Sequence, residues 1–341
     1  MKVLITGGAG FIGSNFIHYL LELRPEWEII NFDSLTYAGN LKNLESIESE
    51  KQYSFIKGDI TDLTAIKNVF SKKIDFVVNF AAETHVDRSL YDPGLFLKTN
   101  VLGTGNLLWA AKENGIKRFL QISSDEVYGP VEAVEARDES GKLNPTSAYA
   151  ASKASADLLC LTYYKTSKLP VIITRSSNNY GPFQFPEKII PFFITRALKD
   201  QALPLYGDGL FYRSWLHVRD NCAGILEALE KGKDGEIYNI GGNVEITNLD
   251  LTKKILGILS KSENLIKPVQ DRPSHDRRYA IDCSKIRNEL GWLPKIGFET
   301  GLKATIEWYL ENEPWWHDIL SGEYRKFFDL HYKNRLNQTS I

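Results

Sequence analysis

The stretch "TGGAGFIG", Thr6 to Gly13, decides how the rest of the chain is read. It follows the β-branched run "KVLIT" (2–6) and opens a stretch with helical spacing over 11–23. Gly8, Gly10 and Gly13 satisfy GxGxxG, while Gly7, Gly10 and Gly13 satisfy the related GxxGxxG. Glycines at such a turn let the backbone approach a pyrophosphate, whose charge then faces the helix N-terminus. Glycine-rich turns are common, so the motif takes its weight from the strand before it and the helix after it. Asp33 ends the second β-branched run, twenty residues beyond Gly13. A carboxylate there accepts from both ribose hydroxyls of a dinucleotide and repels a 2′-phosphate, so NAD is expected over NADP.

Outward from that motif, "EIINF" (28–32), "YSFI" (53–56), "DFVVNF" (75–80), "RFLQIS" (118–123) and "PVIITR" (170–175) read as further strands. They are too apolar for one-sided sheets and suit parallel strands buried on both faces. Helical spacing occupies 62–71, 94–113 and 147–168 between them. The alternation predicts an α/β fold, a Rossmann-like doubly wound parallel sheet. Beyond about residue 178 the pattern changes. "NNYGPFQFPEKIIPFF" is rich in proline and aromatics, "LPLYGDG" (203–209) reads as a turn, and helices are expected at 219–231, 248–260 and 299–312. A smaller α/β lobe, interleaved with the first, is predicted.

At 341 residues the chain exceeds the size at which a single core stops growing. A formal net charge of −2 gives no basic field for nucleic acid or an anionic membrane. Cys160, Cys222 and Cys283 lie far apart without a CxxC, so buried reduced thiols are expected, with neither a disulfide framework nor a metal site. No run reaches the length of a membrane span and the N-terminus is not a signal peptide; a cytoplasmic enzyme is expected.

In a doubly wound sheet, ligands lie beyond the carboxyl ends of the strands. "GDI" (58–60) and "NFAAETH" (79–85) end the third and fourth strands. Asp59 and Ile60 are therefore expected beside the adenine, and Ala81 and Ala82 are small enough to let the cofactor pass. Tyr149 and Lys153 stand one helical turn apart on one face. An ammonium beside a phenol lowers its pKa, so Tyr149 is expected to take a proton from a substrate hydroxyl while hydride leaves the same carbon. "SSDEVYG" (123–129) then sets two carboxylates side by side at a strand end. Mutual repulsion and partial burial push their titrations apart, leaving one protonated and one ionised. Isolated, an Asp-Glu pair would read as a capping Asp and a solvated Glu; beside a dinucleotide motif and YxxxK it reads as an acid and a base.

Taken together, TGxxGxxG, the "AAETH" strand end, YxxxK and "NNYGP" resemble the extended short-chain dehydrogenase/reductases that act on nucleotide sugars. More narrowly, "SSDEVYG", "ETHVDRS", "SNNYGPFQFPEKIIP", "RPSHDRRYAID" and "ELGW" resemble the dTDP-glucose 4,6-dehydratase family over roughly 1–325. The resemblance implies oxidation at C4 of the hexose, elimination of water across C5–C6, and return of the hydride to C6. It assigns Glu126 as the base, Asp125 as the acid, and Ser124, Tyr149 and Lys153 as their catalytic company. For NAD it implies Gly7, Gly10, Phe11, Ile12, Gly13, Asp33, Ser34, Leu35, Thr36, Asp59, Ile60, Phe80, Ala81, Ala82, Thr84, Thr99, Tyr149, Lys153 and Asn179. For the nucleotide sugar it implies Thr84, Ser124, Asp125, Glu126, Tyr149, Asn178, Lys188, Ile189, Pro204, Leu205, Tyr206, Arg213, Asn248, Arg272 and His275. Arg213 and Arg272 would bind the diphosphate, and His85 and His275 would have structural roles. The cofactor lobe is expected to span 1–177 with about 213–241, and the sugar lobe 178–212 with 242–341. A homodimer paired through the helix carrying Tyr149 is implied. Ser124 departs from the family's usual threonine, and Ser274 from its usual glycine. A UDP-glucose 4,6-dehydratase, a 4-epimerase or decarboxylase of the same fold, and a non-catalytic NAD sensor are the alternatives.

Overall fold

Val3 and Ile5 point to one side of the first strand and Leu4 to the other, and all three are fully buried. A strand apolar on both faces needs cover on both faces, and parallel pairing with helical crossovers supplies it. The computed structural model describes residues 1–132, 134–271 and 275–321. Its first half runs β1 (Lys2–Thr6), α1 (Phe11–Leu23), β2 (Glu28–Asp33), β3 (Tyr53–Lys57), α2 (Leu63–Phe70), β4 (Phe76–Asn79), α3 (Val86–Tyr91), α4 (Pro93–Phe96), α5 (Thr104–Glu113), β5 (Arg118–Ser124), α6 (Ala148–Ser167) and β6 (Val171–Ser176). There follow β7 (Asn178–Tyr180), α7 (Ile189–Leu198), β8 (Leu203–Tyr206), β9 (Tyr212–His217), α8 (Val218–Lys231), β10 (Ile237–Ile240), β11 (Val244–Thr247), α9 (Asn248–Ile258), β12 (Ile266–Val269), α10 (Ser284–Leu290), α11 (Phe298–Glu311) and α12 (Glu313–Ser321).

Seven parallel strands form one sheet in the order β10-β6-β5-β4-β1-β2-β3. The order reverses at β1 and β4, which opens a crevice beyond their carboxyl ends. One face packs on α1 and α8 through Phe16, Ile17, Cys222 and Ile225, and the other on α2, α5 and α6 through Ile66, Leu107 and Cys160. A second core joins Tyr180, Phe192, Leu203, Trp215, Leu251, Leu302, Tyr309, Trp315 and Trp316. Around it lie a three-stranded sheet, β11-β9-β7, and the pair β12-β8. The stretch of about 213–241 is divided between the two: β9 pairs with β7 and β11, whereas β10 joins the edge of the large sheet.

Three local expectations change. "LPLY" is not part of a turn, because Leu203–Tyr206 pairs with Ile266–Val269 and only the glycines after it reverse the chain. The helix expected over 94–113 is interrupted between α4 and α5 by a wider π-helical segment, Leu97–Gly103. In that segment Gly103 lies against Ile60, so a side chain there would collide with it. Cys160 and Cys222 are buried as expected, but Cys283 is half-buried. The aromatic tail is packing: Trp315 donates to Asn43 Oδ1 at 2.9 Å and closes the second core onto the first lobe.

Candidate active site

The crevice beyond β1 and β4 is a cleft of about 340 Å³, and its floor is the glycine turn. Gly7 has φ +68°, and a Cβ on it would stand 2.6 Å from the Ala81 nitrogen. A Cβ on Gly13 would stand 2.4 Å from the Gly7 carbonyl oxygen. These glycines are therefore required by close backbone approach. Gly10 caps α1 without a side-chain hydrogen bond, leaving the first amides of the helix to the cleft. Asp33 lies on the opposite wall, with Oδ2 accepting from the Ala9 amide at 2.9 Å and Oδ1 from the Leu35 amide at 2.7 Å. Burial pushes its carboxyl up, and these two amides hold it back. Leu35 serves through its backbone, with φ +54°. Ser34, Thr36, Asp59, Ile60, Phe80, Ala81, Ala82, Thr84, Thr99 and Asn179 line the same cleft. A backbone cradle at a helix N-terminus, facing a carboxylate, fits a dinucleotide diphosphate and its ribose.

At the far end of this cleft β5 delivers Ser124, Asp125 and Glu126 opposite Tyr149 and Lys153. The Ser124 hydroxyl caps the short helical turn Asp125–Tyr128 by accepting from the Glu126 amide at 3.2 Å. That cap turns both carboxylates into the cleft. Burial, and then Glu126, push the Asp125 carboxyl up to about 7, while Arg213 and Ser124 pull it down. The Lys153 ammonium donates to the Ile122 carbonyl at 2.5 Å, and burial takes its pKa down to about 8. The expected lowering of Tyr149 does not occur. Burial, and then Glu126, push its phenol up, with Asp125 and Asp157 adding to the rise.

A second cavity, of about 160 Å³, opens from the first and shares Glu126, Asn178 and Lys188 with it. Ile189, Pro204, Leu205, Tyr206, Arg213, Asn248 and His275 line it, drawn from α7, β8, β9, α9 and the segment after β12. Asn248 Oδ1 is buried there without a hydrogen-bond partner. The Lys188 ammonium reaches back to the Thr84 carbonyl at 3.0 Å and so joins the two lobes. Arg213 is 6% exposed, donates to the Tyr212 and Asp276 carbonyls at 2.7 and 3.0 Å, and stacks on Tyr279. His275 lies flat on Phe211 with ring centroids 3.6 Å apart and contacts Asp271 at 2.6 Å. His85 caps α3. Arg272 and Ser274 lie outside the described residues.

The family profile described as GDP-mannose 4,6 dehydratase matches residues 4–305. A dTDP-glucose 4,6-dehydratase of Streptomyces antibioticus is 48% identical over 324 residues, covering 94% of this chain and 95% of that protein. The chain belongs to the dTDP-glucose 4,6-dehydratase family. The crystal structure of DesIV, the dTDP-glucose 4,6-dehydratase of Streptomyces venezuelae with NAD and TYD bound, superposes with a TM-score of 0.91 at 46% identity, covering 94% of this chain and 100% of that one. The UDP-glucose 4-epimerase of Thermus thermophilus, in complex with NAD, shares the fold at a TM-score of 0.85 and 30% identity, covering 92% of this chain and 100% of that one.

Within this dehydratase family site, sequence reasoning missed a group of side chains that reach the cavities from the second lobe. Glu187 lines both cavities, accepts from the Tyr37 hydroxyl at 3.1 Å and is pushed up to about 7 by burial. Tyr279 lines the second cavity and donates to Asp276 at 2.6 Å. Glu187 precedes the expected Lys188 directly, and that adjacency was its one signal; Tyr279 had none apart from the "RRYAID" resemblance.

Proposed function

We propose that this protein is an NAD-dependent dTDP-glucose 4,6-dehydratase, a hydro-lyase that forms dTDP-4-keto-6-deoxyglucose for deoxysugar biosynthesis. The observation that carries the reading is the place of the Asp125–Glu126 pair, where the cofactor cleft meets the second cavity and Glu126 lines both. NAD, when bound, would supply a hydride acceptor for C4 and a hydride donor for C6. Gly7, Gly10, Gly13, Asp33 and Lys153, which line the cleft, would hold it. Tyr149, kept close by Ser124, takes the C4 hydroxyl proton. The C4 ketone acidifies C5, and Glu126 removes that proton. Asp125, held protonated near neutrality by burial and by Glu126, gives its proton to the departing C6 hydroxyl. Glu126 then returns its proton to C5; the cycle is redox-neutral because the hydride taken from C4 goes back to C6, and the C4 hydroxyl proton on Tyr149 balances the one Asp125 gave to the departing water.

Asn178, Lys188, Asn248, Arg213 and the apolar Ile189, Pro204 and Leu205 would hold the nucleotide in the lobe of 178–212 and 242–341. Arg213 stands near enough to Asp125 to pull its pKa down, so it would serve the carboxyl pair as well as a phosphate. A homodimer through α6 fits the exposed Leu158 on that helix and the exposed Leu97 and Leu102 on the segment beside it. No described helix is long and apolar enough to cross a membrane, and we place the enzyme in the cytoplasm with its nucleotide substrate.

Incubation with dTDP-glucose and with UDP-glucose, followed by product mass, tests the reading. Loss of one water with no net accumulation of reduced cofactor is expected, fastest with dTDP-glucose. A product of unchanged mass with inverted C4 overturns it in favour of an epimerase.

A further inference from the structure

One turn beyond Lys153 on α6, Asp157 is completely buried. Its Oδ2 accepts from Arg175 Nε on β6 at 2.9 Å and from the Ser123 hydroxyl on β5 at 3.0 Å. Its Oδ1 is buried without a hydrogen-bond partner. Arg175 is itself 2% exposed, and its guanidinium stacks on the ring of Tyr128 with 4.7 Å to the centroid. Tyr128 ends the short turn that carries Asp125 and Glu126, and its hydroxyl donates to Asn239 on β10 at 2.9 Å. A continuous buried chain therefore runs from the Lys153 turn of α6, through Asp157 and Arg175, to the underside of the carboxylate pair. Replacing a buried ion pair by apolar side chains is commonly neutral or stabilising, so packing alone gives little reason to keep one here.

We propose that Asp157 is a positioning residue of the reaction: bound to Ser123 on β5 and Arg175 on β6, it clamps the Lys153 turn of α6 onto those strands, so that the Lys153 ammonium meets the Ile122 carbonyl on β5 in one frame with the turn bearing Asp125 and Glu126. The inference rests on the dehydratase reading for what Lys153 does, and adds the residue that keeps it there. The groups whose charge bears on Lys153 are Asp157 and Cys160 on its own helix; Tyr149 stands one turn before it on that helix, Arg175 lies on β6, and Asp125 and Glu126 line the same cleft. The helical layer packed on α6 contributes Phe96 against Tyr149 and Asn100, whose amide donates to Ser152 at 2.8 Å. Burial lowers Lys153 and Asp157 opposes that fall, so loss of the carboxylate moves Lys153 further down. The ammonium is then lost at a lower pH as pH rises.

The test compares wild type, Asp157→Asn, and Asp157→Asn combined with Arg175→Met. Each is measured by thermal unfolding, by NADH binding across pH from fluorescence titration, and by steady-state dehydration of dTDP-glucose. For Asp157→Asn, the alkaline fall of NADH affinity and of kcat is expected to move down by about one pH unit. At pH 8, where Lys153 with a pKa of about 8 is half charged, this corresponds to about a fivefold loss of kcat with KM within about twofold. The double variant is expected to recover the melting temperature and to keep the displaced pH profile. A wild-type pH profile in either variant, or recovery of kcat together with stability in the double variant, overturns the proposal. Where Asp157→Asn fails to fold, the double variant decides alone. An inactive wild type breaks the dehydratase reading, while the NADH titration still judges Asp157.

Discussion

The glycine-floored cleft and the second cavity, which share Glu126, Asn178, Glu187 and Lys188, are built in different materials. The floor of the cleft is backbone: a turn so close-packed that a methyl on Gly13 meets the Gly7 carbonyl oxygen at 2.4 Å, and bare amides at the start of α1, with the Asp33 carboxylate beside them. The second cavity is side chain throughout, drawn from separate elements, with Asn248 Oδ1 left unpartnered inside it. A backbone cradle recognises what all its ligands share, a diphosphate, and tolerates little change. A side-chain pocket recognises differences, and each of its members can be exchanged at modest cost. Between the halves stand Asp125 and Glu126, which belong to neither material: their chemistry comes from burial.

The contrast can be broken in order of expected effect. Removing the acid tests the middle ground: Asp125→Asn is expected to lower kcat by about 10²–10⁴-fold. The same variant should be more stable than wild type at pH 8. The sign follows from Asp125 being raised to about 7 in the fold. Its stabilising contribution is full below the ordinary carboxylate range and lost as pH rises through 7, and an amide has no charge to bury. Melting curves at pH 5 and pH 8 check this, and equal gains at both pH values would show that the cost of a buried, ionised Asp125 beside Glu126 is not the cause. Glu126→Gln should instead stall after oxidation, visible as reduced cofactor accumulating on the enzyme, and dehydration at the normal rate refutes the base assignment. Gly13→Ala attacks the cradle; a loss of NAD affinity of about 100-fold and of about 1–3 kcal/mol of stability is expected, the second from overpacking. Asp33→Asn should narrow the preference for NAD over NADP by about tenfold, read from paired binding titrations. Least of all, Asn248→Ala should raise KM for the nucleotide sugar about fivefold, the worth of one hydrogen bond, with kcat little changed. If Asn248→Ala costs cofactor binding, or Gly13→Ala leaves it intact, the division into backbone and side-chain halves fails.

Much of the first half was legible because its logic is local. The strands are apolar on both faces wherever β1, β2 and β4–β6 lie inside the sheet, and Tyr149 and Lys153 share a face because a helix repeats every 3.6 residues. Where reading failed, the deciding contact was distant. Leu203–Tyr206 looked like the start of a turn because its partner, Ile266–Val269, lies about sixty residues away. Glu187 carries no local signal of its place beyond standing before Lys188, because the Tyr37 hydroxyl that binds it comes from the other lobe.

The sequence by itself determined the fold class and the dinucleotide turn and brought forward the candidate acid–base set, since each follows from spacing along one or two elements. Tertiary structure alone decided what those groups do at neutral pH. Asp125 keeps its proton near neutrality because burial and Glu126 hold it, and burial and then Glu126 likewise raise Tyr149. Lys153 has Asp157 one turn below it, and that carboxylate is anchored by an arginine from another strand. Ionisation depends on desolvation and on charges brought together across the fold, and a linear order of residues carries neither.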